Sequence, residues 1–277
     1  MIHTKQGDVV EFYHRAVVAS LIGHNLAVPL DLEPVQPGEG EVVAAKRLLA
    51  RLLEPYGRSF DAVVGDGLYF EAPFFNFCLE HGKHALAVIK DENRDLFADA
   101  AGLFRTRPPK VWRDGPTRIE AWDEEGFGSM TGVKASLRVL HTEEHRVKRE
   151  RFKGKWRKKQ EQHTWWWAAT IPKKLLGSRG LWRAGHGRWG IENHIFNQLS
   201  THWALDHCFK HHPQAILNFV LILFMAFTLL QCFYQRDLKP ALRRLFTLIG
   251  LVAQLYLGLA EPRWTAPWLA ASPSRPP

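Results

Sequence analysis

The chain has 277 residues, with 37 lysines and arginines against 28 aspartates and glutamates, a formal charge of +9 and 46% hydrophobic residues. That length and apolar content sustain one large or two ordinary folded domains and exclude a wholly disordered chain. The cationic excess favours an anionic partner, because a basic surface gains by releasing counterions from a phosphate backbone.

In chain order, residues 9–22 and 26–34 read as two strands of a hairpin that turns at Gly23, His24 and Asn25. Residues 41–53 carry Val43, Ala44, Leu48 and Leu49 at helical spacing with Lys46, Arg47 and Arg51 between them, an amphipathic helix ended by Pro55 and Gly57. An apolar strand over 60–64 delivers Asp66; a short helix over 72–81 and a buried strand over 85–89 follow. Strands alternating with helices indicate an α/β sheet with some parallel pairing. From Arg107 to Thr170 the rhythm changes to charged β-like stretches, with a hairpin turning near Gly154, and Pro172 closes this segment. Helical pattern then resumes, with Glu192 on a helix that continues to about Trp203. Residues 216–233 approach the roughly 20 apolar residues that span a bilayer, but Asn218 and Gln231 interrupt them. A helix buried on most sides is the expectation there. A segment over 242–259 and a Pro- and Ser-rich tail from Ala270, expected to be disordered, end the chain.

Two carboxylates carry most of the information. Asp66 stands just beyond an apolar strand, where a side chain can enter the crevice at the strand's carboxyl end; from position alone it reads equally as the residue of an Asp-Gly turn. Glu192 by itself reads as a solvated helix residue. The wording around them is more specific. His14-Arg15 after Tyr13, Asp31-Leu32-Glu33-Pro34, Pro37-Gly38-Glu39, Gly65-Asp66-Gly67-Leu68-Tyr69, Trp189-Gly190-Ile191-Glu192-Asn193 and Asp206-His207 occur in an order and spacing that resembles the DDE transposases of bacterial insertion sequences.

The resemblance implies an RNase H-like core holding divalent metal, Mg2+ or Mn2+, on two aspartates and a glutamate, with Asp66 and Glu192 as two of the three ligands. It further implies Arg188 as an auxiliary phosphate or carboxylate contact, Asn193 as part of the signature and His207 as a structural or site-adjacent residue. Double-stranded DNA at transposon ends is the implied partner, with self-association during transposition, no membrane, and a bacterial cytoplasmic, nucleoid-associated setting. Reduced thiols at Cys78, Cys208 and Cys232, an odd and scattered set, fit that compartment. The chain departs from the family in two respects. Gly185 and Leu199 stand where a tyrosine and a lysine often complete the signature. Nothing before Gly7 resembles the first strand with its aspartate, and neither Asp8 nor Asp31, read as a turn residue, takes that place, so an amino-terminally truncated copy is expected.

The densest basic run comprises Arg146, Lys148, Arg149, Arg151, Lys153, Lys155, Arg157, Lys158 and Lys159. On a hairpin these side chains either grip phosphates or form a solvated face. Trp156, and Trp165 with Trp167, are positioned to stack exposed bases, although core packing suits the triple tryptophan better. His202, His207, Cys208, His211 and His212 give no complete tetrahedral zinc set. The expected organisation is a first part of an RNase H-like α/β core over 1–106 that lacks its amino-terminal strand, a β-rich insertion over 107–172, a second part of the core over 173–240, and a carboxy-terminal helix and tail over 241–277.

Overall fold

The computed structural model of the protein describes residues 2–4, 7–9, 14–23, 26–90, 95–152, 154–207 and 211–260. In it the apolar runs of the sequence become strands. β1 (Ile2–Thr4) and β2 (Gly7–Val9) pair antiparallel, as do β3 (Ala16–Leu21) and β4 (Val28–Pro34). The main sheet contains β5 (Ala62–Gly65), β6 (His84–Val88), β7 (Lys110–Asp114), β8 (Thr117–Phe127), β9 (Leu137–Phe152) and β10 (Lys155–Ala169), in the order β5-β6-β10-β9-β8-β7. β5 and β6 are parallel, and every other neighbouring pair in this sheet is antiparallel.

The α/β alternation and the charged β-rich segment therefore share one sheet. β10 returns to pair with β6, setting Trp167 opposite Val88 and Ala169 opposite Leu86. β6 stops at Val88, but β10 runs on to Lys155, roughly 40 Å further at about 3.3 Å per residue. β8 leaves β9 at the Thr117–Arg146 pair, so the remainder is a two-stranded ribbon, turned at Gly154 with φ of +81°. The ribbon leaves the sheet at the same end as the carboxyl termini of β5 and β6.

The first hairpin differs from its sequence reading. The strand before the turn starts at Ala16, and residues 10–13, 24 and 25 lie outside the described residues. Asp31 is not a turn residue: β4 continues to Pro34, because a proline at a strand end costs no ladder bond. The Asp31 carboxylate is held by Arg51 Nε at 2.7 Å.

Helix α1 (Glu41–Tyr56) buries Val42, Ala44, Ala45, Leu48, Leu49 and Leu52, the stripe that helical spacing requires. It is tied to the hairpin by Arg47, 3.0 Å from Glu33 and 2.6 Å from Glu39, and by Arg51, 2.6 Å from Glu33. α2 (Ala72–Glu80) and α3 (Asp95–Phe104) pack on the same side of the sheet through Phe74, Phe75, Leu96 and Phe104. α4 (Ser178–Gly187) covers the other side with Leu181 and Trp182.

α4 is fixed by two buried acids. Arg138 and Asp123, both nearly inaccessible, pair in the fork geometry, Nε to Oδ1 and Nη2 to Oδ2 at 2.7 Å each. Arg138 also donates to the carbonyls of Ile171 and Leu176, and Ser178 Oγ donates to Asp123 Oδ2 at 2.6 Å, which secures the start of the helix. Glu144 Oε1 receives Trp182 Nε1 and lies beside His186 Nε2, both at 2.7 Å. Burial alone would raise the pKa of each acid. The Arg138 and Ser178 bonds outweigh it for Asp123, as His186 and Trp182 do for Glu144, so both carboxyls lie below their usual range.

The chain divides into two compact units, Met1–Asn197 and Gln198–Pro277. α5 (Asn197–Trp203), α6 (Pro213–Cys232), α7 (Pro240–Leu245) and α8 (Leu248–Ala260) are the described α-helices after α4, with π-helical turns at Ile191–Phe196 and Phe233–Asp237, and residues 261–277, including the Pro- and Ser-rich tail, lie outside the described residues. The apolar segment forms a helix, but it is not buried on most sides: Leu223, Phe224, Phe227 and Gln231 are buried while Ile222, Met225 and Leu229 are each about two-thirds exposed. It is long and apolar enough to cross a membrane by length and composition alone. Asn218 is exposed and accepts from Gln214 at 2.9 Å, so no buried amide has to be satisfied.

Replacing Arg138 with methionine should cost about 3 to 5 kcal/mol, because Asp123 is left as an unpaired buried charge. Because both acids have lowered pKa values, their stabilisation is complete above the unfolded carboxyl range and fades as pH falls through the folded values. Urea midpoints should therefore hold from pH 7 to about 5 and decline below about 4; a flat wild-type profile down to pH 3 would contradict this.

Candidate metal centre and nucleic-acid ribbon

Asp66 is delivered by β5 and fixed by its neighbours. A Cβ at Gly65 would stand 2.6 Å from Tyr69 Cβ, so close packing demands that glycine, whereas one at Gly67 would stand 2.3 Å from the exposed, flexible Lys90 side chain, which would have to turn away from Asp66. Asp66 Oδ1 accepts from Leu68 N at 2.8 Å and caps the 3₁₀ turn Gly67–Tyr69, while Oδ2 accepts from Lys90 Nζ at 3.2 Å. The turn reading and the crevice reading thus hold together: one oxygen caps, the other faces a cation. Tyr69 donates to Glu41 Oε1 at 2.7 Å, and burial, then Glu41, push the phenol pKa up so that it stays protonated.

Glu192 arrives from the other side of the sheet. Beyond α4 the chain winds into the π-helical turn Ile191–Phe196, which breaks the α register where such turns often serve a site. Glu192 is half exposed, and its Oε1 accepts from Arg188 Nη1 at 2.8 Å. Arg188 lies over the Trp189 ring at 4.9 Å, and its Nε is buried with no partner.

One cavity of about 550 Å³ is lined by Asp66, Arg188 and Glu192, together with Glu41 and Tyr69. The two carboxylates singled out in the sequence, far apart along the chain, share that space. Asn193 sits on the same π turn and is exposed, outside the cavity lining. His207 belongs to the second compact unit, where its N–H donates to Ala204 O at 3.1 Å. Sequence reading missed Lys90 and Glu41. Lys90 follows the second parallel strand much as Asp66 follows the first, a signal that topology supplies once β5 and β6 are paired.

The structure accounts for both departures from the signature. Gly185 packs on Trp167, and any Cβ there would approach Trp167 Nε1 to 2.6 Å, which leaves no room for a tyrosine. Leu199 is fully buried, where a lysine would place an uncompensated charge.

Among the described residues another group offers metal-ligand geometry: Glu120, Glu143 and His145 bring one ligand atom each within 4.8 Å of one another. Glu120 and Glu143 are direct cross-strand neighbours, a repulsive pair that a divalent cation would relieve. This cluster is consistent with a divalent site and lies on the sheet face that packs α3, since His141 on the same face stacks on Phe104.

The basic run forms the ribbon as expected, and its register separates the charges by face. Arg146, Lys148 and Arg157 share a face with Glu150 and Glu161, and both Arg157–Glu150 and Lys159–Glu161 ion pairs form there. The opposite face presents Arg149, Arg151 and Lys158 with Trp156, which is 72% exposed, and no acid beyond Val147. Lys153 lies outside the described residues, and only the backbone of Lys155 is described. Trp165, Trp166 and Trp167 pack inward: Trp165 stacks on Trp167 against His186, and Trp166 stacks on His141.

A family model described as a transposase DDE domain matches residues 4–229. No curated protein matches the chain.

Gly185→Ala should lower stability by about 1 to 3 kcal/mol through overpacking against Trp167. It should also blue-shift or quench tryptophan fluorescence. An unchanged melting temperature would show that the contact is loose.

Proposed function

The chain belongs to the transposase DDE domain family, and on that premise we propose that it acts at insertion-sequence ends, with Asp66 and Glu192 holding divalent metal, Mg2+ or Mn2+, for phosphodiester cleavage and strand transfer. The observation that carries the reading is the shared cavity lined by both carboxylates and Arg188. The donor set fits the group: hard carboxylate oxygens, partly accessible at 33% and 47%, on an open cavity. A bound divalent ion supplies Lewis-acid stabilisation of the phosphate and activation of a water or 3′-hydroxyl for in-line attack.

The chain's own residues do the rest. Leu68 N–H keeps one Asp66 oxygen fixed and leaves the other directed to the site. Lys90 and Arg188 neutralise the two carboxylates in the metal-free protein and are free to turn to a substrate phosphate when the carboxylates take metal. The Arg188 guanidinium has an unused buried N–H for that purpose. The ribbon face with Arg149, Arg151, Lys158 and Trp156 binds double-stranded DNA, with Trp156 available to a distorted or unpaired end. Self-association on two transposon ends, a cytoplasmic, nucleoid-associated setting and the division into an RNase H-like core interrupted by a β-rich insertion belong to the same reading.

No third carboxylate is assigned in this reading: Asp31 lies outside the cavity lining and is held by Arg51, and Glu41, which lines the cavity, accepts from Tyr69. The chain is then an incomplete copy, and cleavage by it alone is negligible. A second reading, a non-catalytic remnant that binds DNA or a full-length partner, is favoured by one observation: each assigned carboxylate already has a cation beside it, Lys90 at 3.2 Å and Arg188 at 2.8 Å.

Two measurements test the proposal. Replacing Arg149, Arg151 and Lys158 with glutamine should reduce the slope of log K against log salt by about 2 to 3, at roughly 0.9 per lost phosphate contact. The same change at Arg146, Lys148 and Arg157 should matter less. Equal slopes for both triple variants would contradict the assignment of faces. In Mg2+ with the element's own ends the chain should bind and not cut; robust cleavage abolished by Asp66→Ala would overturn the incomplete-copy reading.

A further inference from the structure

The cationic face of the ribbon continues past its arginines into the main sheet. Directly opposed residues on neighbouring strands share a face, and alternate residues along a strand return to it. The face with Arg149, Arg151, Trp156 and Lys158 therefore runs back through Val147 to His145 and Glu143 on β9 and crosses to Glu120 on β8. That point is the root of the ribbon, beside the Thr117–Arg146 pair at which β8 leaves β9. Glu143 and Arg149 lie roughly 20 Å apart along β9, at about 3.3 Å per residue.

The side chains at this root are poorly satisfied by their neighbours. Glu120, Glu143 and His145 are each half-buried, and their ligand atoms stand within 4.8 Å of one another. Glu120 and Glu143 oppose each other directly, and like charges so placed repel. Arg118, on the same face, pairs with Glu120 and relieves one of them. Among the described residues Glu143 has no ion pair except with His141, whose Nε2 is 3.8 Å away and beyond hydrogen-bond reach. The His145 imidazole makes no hydrogen bond or ion pair with any described residue. A carboxylate and an imidazole, partly desolvated and adjacent, are thus both left with lone pairs to donate.

We propose that Glu120, Glu143 and His145 form a second metal site, selective for a borderline divalent ion of the Zn2+ class, whose open position takes a phosphate oxygen of nucleic acid lying along the ribbon face. The donor set separates it from the cavity of Asp66 and Glu192. Carboxylate oxygens alone suit Mg2+, whereas an imidazole beside two carboxylates favours Zn2+, and three protein ligands leave a tetrahedral ion one position to fill. The ion joins β8 to β9 where the ribbon begins, and it turns an acidic patch on a cationic face into one more phosphate anchor. The phosphate position rests on the ribbon reading above; the ion site does not.

The test uses the full chain in excess Mg2+, which fills hard-oxygen sites, and follows Co2+, the spectroscopic stand-in for Zn2+, by its visible absorption. The chain should bind Co2+ with the intense bands of a tetrahedral ion and release it to Zn2+. Affinity should fall at least about tenfold in His145→Ala and in Glu143→Gln, with His202→Ala unchanged. Glu143→Gln removes a repulsive charge, so the fold is kept and the loss reads the ligand alone. Zn2+ should also tighten binding of a DNA duplex at fixed ionic strength by about tenfold, the scale of one charge-assisted contact, and not in Glu143→Gln. No such spectrum, or one unchanged in both ligand variants, overturns the site. A spectrum lost in both variants without any effect of Zn2+ on DNA binding overturns the phosphate position and leaves the ion as a tie between strands. If the chain binds no DNA at all, the ribbon reading falls and the phosphate position with it, while the Co2+ spectrum still decides the metal site.

Discussion

The buried acids under α4 are the constraint on which the rest depends. Asp123 receives Arg138 and Ser178, Glu144 receives Trp182 and lies against His186, and all of them sit on strands or a helix of the same sheet. Desolvating two carboxylates is costly, and the cost is offset only if every partner keeps its place. That requirement fixes the start, middle and end of a ten-residue helix. Arg188 and Glu192 follow it directly, so the geometry of the candidate centre is set by polar contacts well away from it.

The sheet supplies the second half of the arrangement. Because β10 pairs with β6, the charged β-rich segment is continuous with the strand neighbouring β5, and the ribbon projects from the end at which Asp66 emerges. A cationic arm attracts a phosphate backbone wherever it points, but it offsets the repulsion of an acidic pocket only if the two lie at the same end. Set at one end, they suit the proposed function, in which the arm holds the backbone while the pocket addresses a single phosphate. The register sharpens this: acids on one ribbon face neutralise the adjacent bases, leaving Arg149, Arg151 and Lys158 uncompensated on the other.

Much of this was legible in the sequence where local pattern and tertiary role agree. The stripe of α1, the apolar strand before Asp66 and the hairpin at Gly154 follow from periodicity and turn chemistry. The family wording singled out Asp66, Arg188 and Glu192, and all three line one cavity. Other features depend on long-range partners that local pattern does not encode. Asp31 looks like a turn residue until Arg51, twenty residues on, is seen to hold it in mid-strand. Lys90 becomes a site residue only through β5–β6 pairing. The π turn at Glu192 and the one-sided burial of α6 are likewise set by what each segment meets. Gly185 reads as a loss from the signature, whereas packing on Trp167 makes it a requirement.

The central claim is that Asp66 and Glu192 address one divalent ion. Substoichiometric Mn2+ added to isotopically labelled protein tests it through paramagnetic broadening of backbone resonances. Residues around Asp66 and around Glu192 should broaden together, at the same Mn2+ concentration, and Asp66→Asn should remove both effects. Broadening confined to Glu120, Glu143 and His145, or of Asp66 and Glu192 at separate concentrations, would contradict it.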